Sequence, residues 1–93
     1  MIIRYTKPAA RQLSAVLDYI ADHSPQGAGN VFDRIEETLT LIAEQPGIGR
    51  ATDRPGFRRV NLHPYPYAIL YRVGASEIVV HSIRHAARKP PRL

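Results

Sequence analysis

The hydrophobic period of this chain changes from helical to extended at Pro46-Gly47, and that change limits the fold more than any other feature. Before it, Leu13, Val16, Leu17 and Ile20, joined by Ala9 and Ala10, recur at the spacing that lines one side of an α-helix. Phe32, Ile35, Leu39 and Ile42 repeat that spacing. After it, Gly49, Pro55 and Gly56 interrupt any helix, and β-branched and aromatic residues follow. Two amphipathic helices followed by strands bury their apolar stripes most economically on one face of a sheet.

The joints are legible too. Thr6 before Lys7-Pro8 reads as an N-cap with proline in the first turn, preceded by a short β-prone run over residues 1–5. Ser24-Pro25 should end the first helix, residues 26–30 should form a glycine-bearing turn, and Pro46-Gly47 should end the second helix. Residues 57–62, 67–73 and 78–83 read as three strands. Gly74-Ala75-Ser76 is short enough for a hairpin loop, so the last two strands should pair antiparallel. His63-Pro64-Tyr65-Pro66 is a stiffer connection, because its prolines lack ladder donors. The expected fold class is therefore α+β in the order β-α-α-β-β-β, a helical hairpin packed on one face of a small, mostly antiparallel sheet. At 93 residues and 44% apolar, the chain suffices for one domain, residues 1–93, with residues 86–93 a basic Pro/Arg tail.

Charge divides at the same place as the period. Up to residue 46 there are four cations (Arg4, Lys7, Arg11, Arg34) and six acids (Asp18, Asp22, Asp33, Glu36, Glu37, Glu44), a net of −2. From residue 47 nine cations, eight of them Arg, face only Asp53 and Glu77, a net of +7. Arginine's planar fork suits carboxylate and phosphate, so an acidic partner is expected. With no cysteine, disulfides, thiolate metal sites and cysteine nucleophiles are excluded. No apolar run approaches the roughly 20 residues that cross a bilayer, and the first ten residues lack the apolar stretch of a secretion signal. A cytoplasmic protein with no membrane partner and no cofactor is the expectation.

The closing stretch HSIRHAARKPPRL raises a choice between chemistry and grip. Cutting RNA through its 2′-hydroxyl needs a base, an acid and cations on the phosphate, and His is the side chain best suited to the first two roles near neutral pH. Strand alternation places His81 beside Val79, Ile83 and His85, which favours a packed role for it. His23 sits in the last turn of the first helix, where positive charge suits the helix dipole, and His63 belongs to the proline turn. His85 is thus the single catalytic candidate. No metal is expected, since neither cysteine nor carboxylate joins His81 and His85. Tyr67 and Tyr71 share a strand face with Ile69 and Val73 and should be core; Tyr65, in the turn, should be freest.

The element order and three stretches, LIAEQPGIGR (41–50), RRVNLHPYPYAILYRV (58–73) and IVVHSIRHAARKP (78–90), resemble the ParE branch of the RelE/ParE toxins of bacterial type II toxin–antitoxin systems. Members that block DNA gyrase and members that cut mRNA on the ribosome share this scaffold. The resemblance implies a cognate antitoxin whose acidic, amphipathic C-terminal segment wraps the toxin in a hetero-oligomer. RNA-cutting relatives carry an Arg just after the aromatic that is Tyr67 here, and some end the last strand with His then Tyr. This chain has Ala68, His85 and Ala86 at those positions. Arg72 is four strand residues beyond Ala68, about 13 Å, too far to replace the missing cation. The expectation is a gyrase inhibitor acting by binding through Arg58, Arg59, Arg72, Arg84, His85, Arg88 and Lys89. The alternatives are a ribosome-dependent mRNA endonuclease using His85 with Arg84 or Arg72, and a toxin that has lost activity.

Overall fold

The computed structural model describes residues 1–86. Thr6 caps the first helix as its place before Lys7-Pro8 predicts, its hydroxyl accepting the Ala9 N–H at 3.1 Å. The elements run β1 (Ile2–Tyr5), α1 (Lys7–His23), α2 (Pro25–Glu44), a 3-10 turn (Pro46–Ile48), β2 (Arg50–Ala51), β3 (Phe57–Asn61), β4 (Tyr67–Val73) and β5 (Glu77–His85). The class is α+β, as expected. Besides shifts of one or two residues at the ends of β3 and β5, two features differ from the sequence reading.

The first is the expected turn over residues 26–30, which is helical. Ser24 serves both helices: its N–H donates to the Ile20 carbonyl at 2.8 Å and its hydroxyl accepts the Gly27 N–H at 2.9 Å. Pro25, with no N–H to satisfy, opens α2 directly behind it. A single residue thus makes the corner that was expected to need a loop. The second is the additional short strand β2, which pairs with β3 through Arg50↔Arg59 and Ala51↔Arg58. Gly56 at φ 80° supplies the left-handed residue that closes this hairpin.

The sheet order is β1-β5-β4-β3-β2, with β1 parallel to β5 and the other pairs antiparallel. Val31, Ile35, Leu39 and Ile42 of α2 and Ala9 of α1 pack with Leu62, Ile69, Tyr71, Ile78, Val80 and Ile83 into one buried cluster. Tyr67 packs against it, as expected; so does Tyr65, expected to be the freest of the three.

Between β4 and β5 the register slips: Leu70 faces Ser82 but Tyr71 faces Val80, so His81 has no opposite number. This β-bulge overturns the expected grouping of His81 with Ile83 and His85. Two-residue alternation holds on either side of the bulge but changes phase across it. Val80 and Ile83 therefore both reach the helices, while His81 joins Val79 on the other face, its ring 4.8 Å from that of Phe57. Beyond Val80, β5 also outruns β1, and the Ile83 N–H is taken by the Gln12 side chain of α1 at 3.0 Å. Among the described residues no helix is long and apolar enough to cross a membrane.

Candidate functional site

Strand pairing sorts the basic residues of the second half onto two sides. Tyr67, Ile69 and Tyr71 belong with the helix-side core, so Ala68, Leu70 and Arg72 face away from it. Register then arranges the open face in cross-strand rows. At one end stand Asn61, Ala68 and Arg84; next come Arg59, Leu70 and Ser82, with Arg50 beyond Arg59; at the other end stand Phe57, Arg72, Val79 and Arg4. Phe57, Ala68, Val79 and Ser82 are buried although they lie outside the helix-side cluster.

Of the residues proposed from sequence, the structure brings Arg59, Arg72 and Arg84 onto this face. Arg59 reaches across the sheet and its Nη2 donates to the Ala86 carbonyl at 3.1 Å, tying β3 to the end of β5. Arg84 stands directly across from Ala68. Its neighbour His85 points to the opposite side, pairing with Tyr67 at a ring separation of 5.8 Å. Arg58 also faces the helix side: its Nη1 donates to the Gly49 carbonyl at 2.8 Å. Arg88 and Lys89 lie outside the described residues.

The sequence reading missed Arg4, Arg50 and Arg54 as members of the open face. Arg4 was legible as the polar residue between Ile3 and Tyr5, but its neighbours across β5 were not. It holds Glu77 through two hydrogen bonds of 3.0 and 3.2 Å, which keep the Glu77 carboxyl below its ordinary range. Arg54 lies in the β2–β3 turn, pinned by its N–H to the Thr52 hydroxyl at 3.2 Å, with its guanidinium 4.1 Å from the centre of the Phe57 ring. The His81 ring beside Phe57 is held below its ordinary pKa first by burial and then by Arg72, Arg54 and Arg4. A groove of about 770 Å³ along the β2 edge, lined by Arg50, Thr52, Arg59, Asn61 and His63 among others, continues the basic surface.

Behind this face the motif LIAEQPGIGR has a structural purpose. Tyr71 Oη donates to the Pro46 carbonyl at 2.7 Å and accepts the Gly49 N–H at 2.9 Å. A Cβ on Gly49 would lie 2.5 Å from that oxygen, so only glycine fits. Burial raises the Tyr71 pKa despite the opposing effects of the Gly49 N–H and Arg58. The turn after α2 is thereby locked to the centre of the sheet.

The family model for the ParE toxin of the type II toxin–antitoxin system parDE matches residues 3–90. The chain belongs to the ParE toxin family. As a ParE-family toxin it is 31% identical over 91 residues to Y4kP of Sinorhizobium fredii, covering 98% of this chain and 94% of that protein. It is 34% identical over 84 residues to toxin RelE2 of Caulobacter vibrioides, covering 90% and 93%. Among solved structures, a chain of the chromosomal ParDE toxin–antitoxin system of P. aeruginosa superposes with a TM-score of 0.76 at 28% identity, over 91% of this toxin and 95% of that chain.

Proposed function

We propose that this toxin arrests growth by binding DNA gyrase rather than by chemistry of its own, and that its cognate antitoxin neutralises it with an acidic, amphipathic C-terminal segment. The observation that carries the reading is the parting of Arg84 and His85. They are adjacent in β5, so the cation across from Ala68 faces the open side while the catalytic candidate faces Tyr67. A nuclease needs its base and its phosphate-binding cation to converge on one group. A binding surface needs only that the cations share a face, and Arg50, Arg59, Arg72 and Arg84 do. The match to a chain of a ParDE toxin–antitoxin system supports the antitoxin as partner.

The test is purified gyrase with the purified toxin. Supercoiling should stop and cleaved DNA should accumulate at toxin concentrations that the antitoxin reverses. Normal supercoiling at growth-arresting doses rejects gyrase as the target.

One observation favours the mRNA endonuclease as the second reading: Arg59 and Arg84 stand in adjacent rows around Ala68, so two guanidiniums border the position of the missing arginine. That reading predicts cleavage of ribosome-bound mRNA in arrested cells, lost in His85→Ala. Intact mRNA eliminates it.

A further inference from the structure

The bulge at His81 is the place on the open face where a titratable atom is buried and has no partner. Nε2 of His81 is out of contact with solvent and, among the described residues, makes no hydrogen bond. An orphaned polar atom of this kind destabilises a fold unless something completes it. Its ring lies against Phe57, and three cations from three different elements act on it. Arg72 comes from β4, Arg4 from β1 and Arg54 from the β2–β3 turn, and Glu77, two residues before Val79 on β5, is already held by Arg4. Register places Arg72 and Arg4 on either side of Val79, two strand spacings apart or about 10 Å. Phe57, under the Arg54 guanidinium, is the next residue along the row beyond Arg72.

We propose that His81, Arg72, Arg54 and Arg4 form a subsite for a tetrahedral oxyanion of the phosphate type, at the opposite end of the open face from Ala68 and Arg84. A planar carboxylate presents its two oxygens to one guanidinium fork and is satisfied by it, as Glu77 is by Arg4. Donors arriving from three separate elements suit an anion whose oxygens point out of a single plane. The subsite lies on the face that the gyrase reading also uses, but it is a statement about anion chemistry and is tested without gyrase.

Occupation reverses the electrostatics of the bulge. In the free protein, burial and the three arginines favour the neutral imidazole. An oxyanion among those arginines offsets their field, so His81 takes up a proton as the anion binds. Its pKa is below 6.5 in the free protein and higher in the complex. Affinity therefore rises as pH falls between those two values, by at most about tenfold per pH unit for a single linked proton.

The experiment follows the His81 ring signals of the full chain by NMR from pH 5 to 8, with sodium sulfate, with a short oligothymidylate, and with a hexaglutamate peptide, each against chloride at equal ionic strength. Sulfate and oligothymidylate do not themselves titrate in this range, and His23 on α1 serves as an internal control. The expected result is a rise in the His81 pKa with sulfate or oligothymidylate and tighter binding at lower pH. His81→Gln should keep binding at pH 8 but lose the pH dependence, and Arg72→Gln should lose most of the binding. Arg54→Gln stands in if the Arg72 variant does not fold. Tighter binding of the oligonucleotide than of sulfate assigns the oxyanion to a nucleic-acid backbone; equal binding per anion assigns it to a free anion. His81 signals that respond to neither, or that respond as strongly to hexaglutamate, overturn the proposal.

Discussion

Tyr71 is the residue on which the framework turns, because one hydroxyl holds the turn after α2 at two points. Tyr71→Phe should destabilise the protein by about 1–3 kcal/mol in urea unfolding, since the Gly49 N–H is left buried without its acceptor. Gly49→Ala should be destabilising by a similar ~1–3 kcal/mol, through overpacking against the same oxygen. His81 gives a pH signature of its own. Its folded pKa is lowered from 6.5, so the neutral form is favoured in the fold and the proton is taken up more readily by the unfolded chain. The contribution of His81 to stability is thus fully present above pH 6.5 and is lost as pH falls toward the folded pKa. Unfolding of His81→Gln and of the parent at pH 7.5 and 5.5 should show the parent losing more stability on acidification. None of these contacts was legible beforehand: the glycines of PGIG read only as helix breakers, and Tyr71 only as an apolar member of its strand.

At the scale of elements, most boundaries followed from local chemistry. Thr6, Pro46 and the hairpin loop after β4 sit where cap and turn preferences place them. The corner between the helices did not, because Gly27 and Gly29 suggested a loop while Ser24 and Pro25 were sufficient to turn the chain and restart the helix. Ser24→Ala should weaken that corner by about 1 kcal/mol, measured by thermal or urea unfolding, through loss of the bond to the Gly27 N–H. The bulge was equally hidden, since a one-residue slip in register is set by what lies across the strand and not by the strand's own pattern. Gln12 exists in the fold to satisfy the stretch of β5 that β1 leaves uncovered. Gln12→Ala should cost about 1–3 kcal/mol by exposing an unpaired Ile83 N–H in a part-buried site.

Across the whole molecule the charge division becomes a division of faces. The helices carry the acids and cover one side; Arg50, Arg59, Arg72 and Arg84 gather on the other, with Arg4 added from the first strand. Arg50→Glu with Arg84→Glu should weaken the proposed association with gyrase by tenfold or more while leaving the unfolding midpoint nearly unchanged, read by binding assays and urea unfolding on the same preparations. Association of the parent with an acidic partner should weaken as salt rises, because the contributing guanidiniums are largely exposed and screened.

What the sequence by itself determined is the architecture and the family. Two helical stripes, a change of period at Pro46-Gly47, and a concentration of arginine after it are properties of single stretches, and local geometry reads single stretches directly. What only the tertiary structure decided is which arginines act together. Arg58 and Arg59 are neighbours in sequence, yet one braces the core side and the other lies on the open face. Arg84 and His85 part in the same way, while Arg4 and Arg72, 68 positions apart, stand in one row. Alternation separates adjacent residues, and register joins distant ones. Register depends on partners that no one segment encodes.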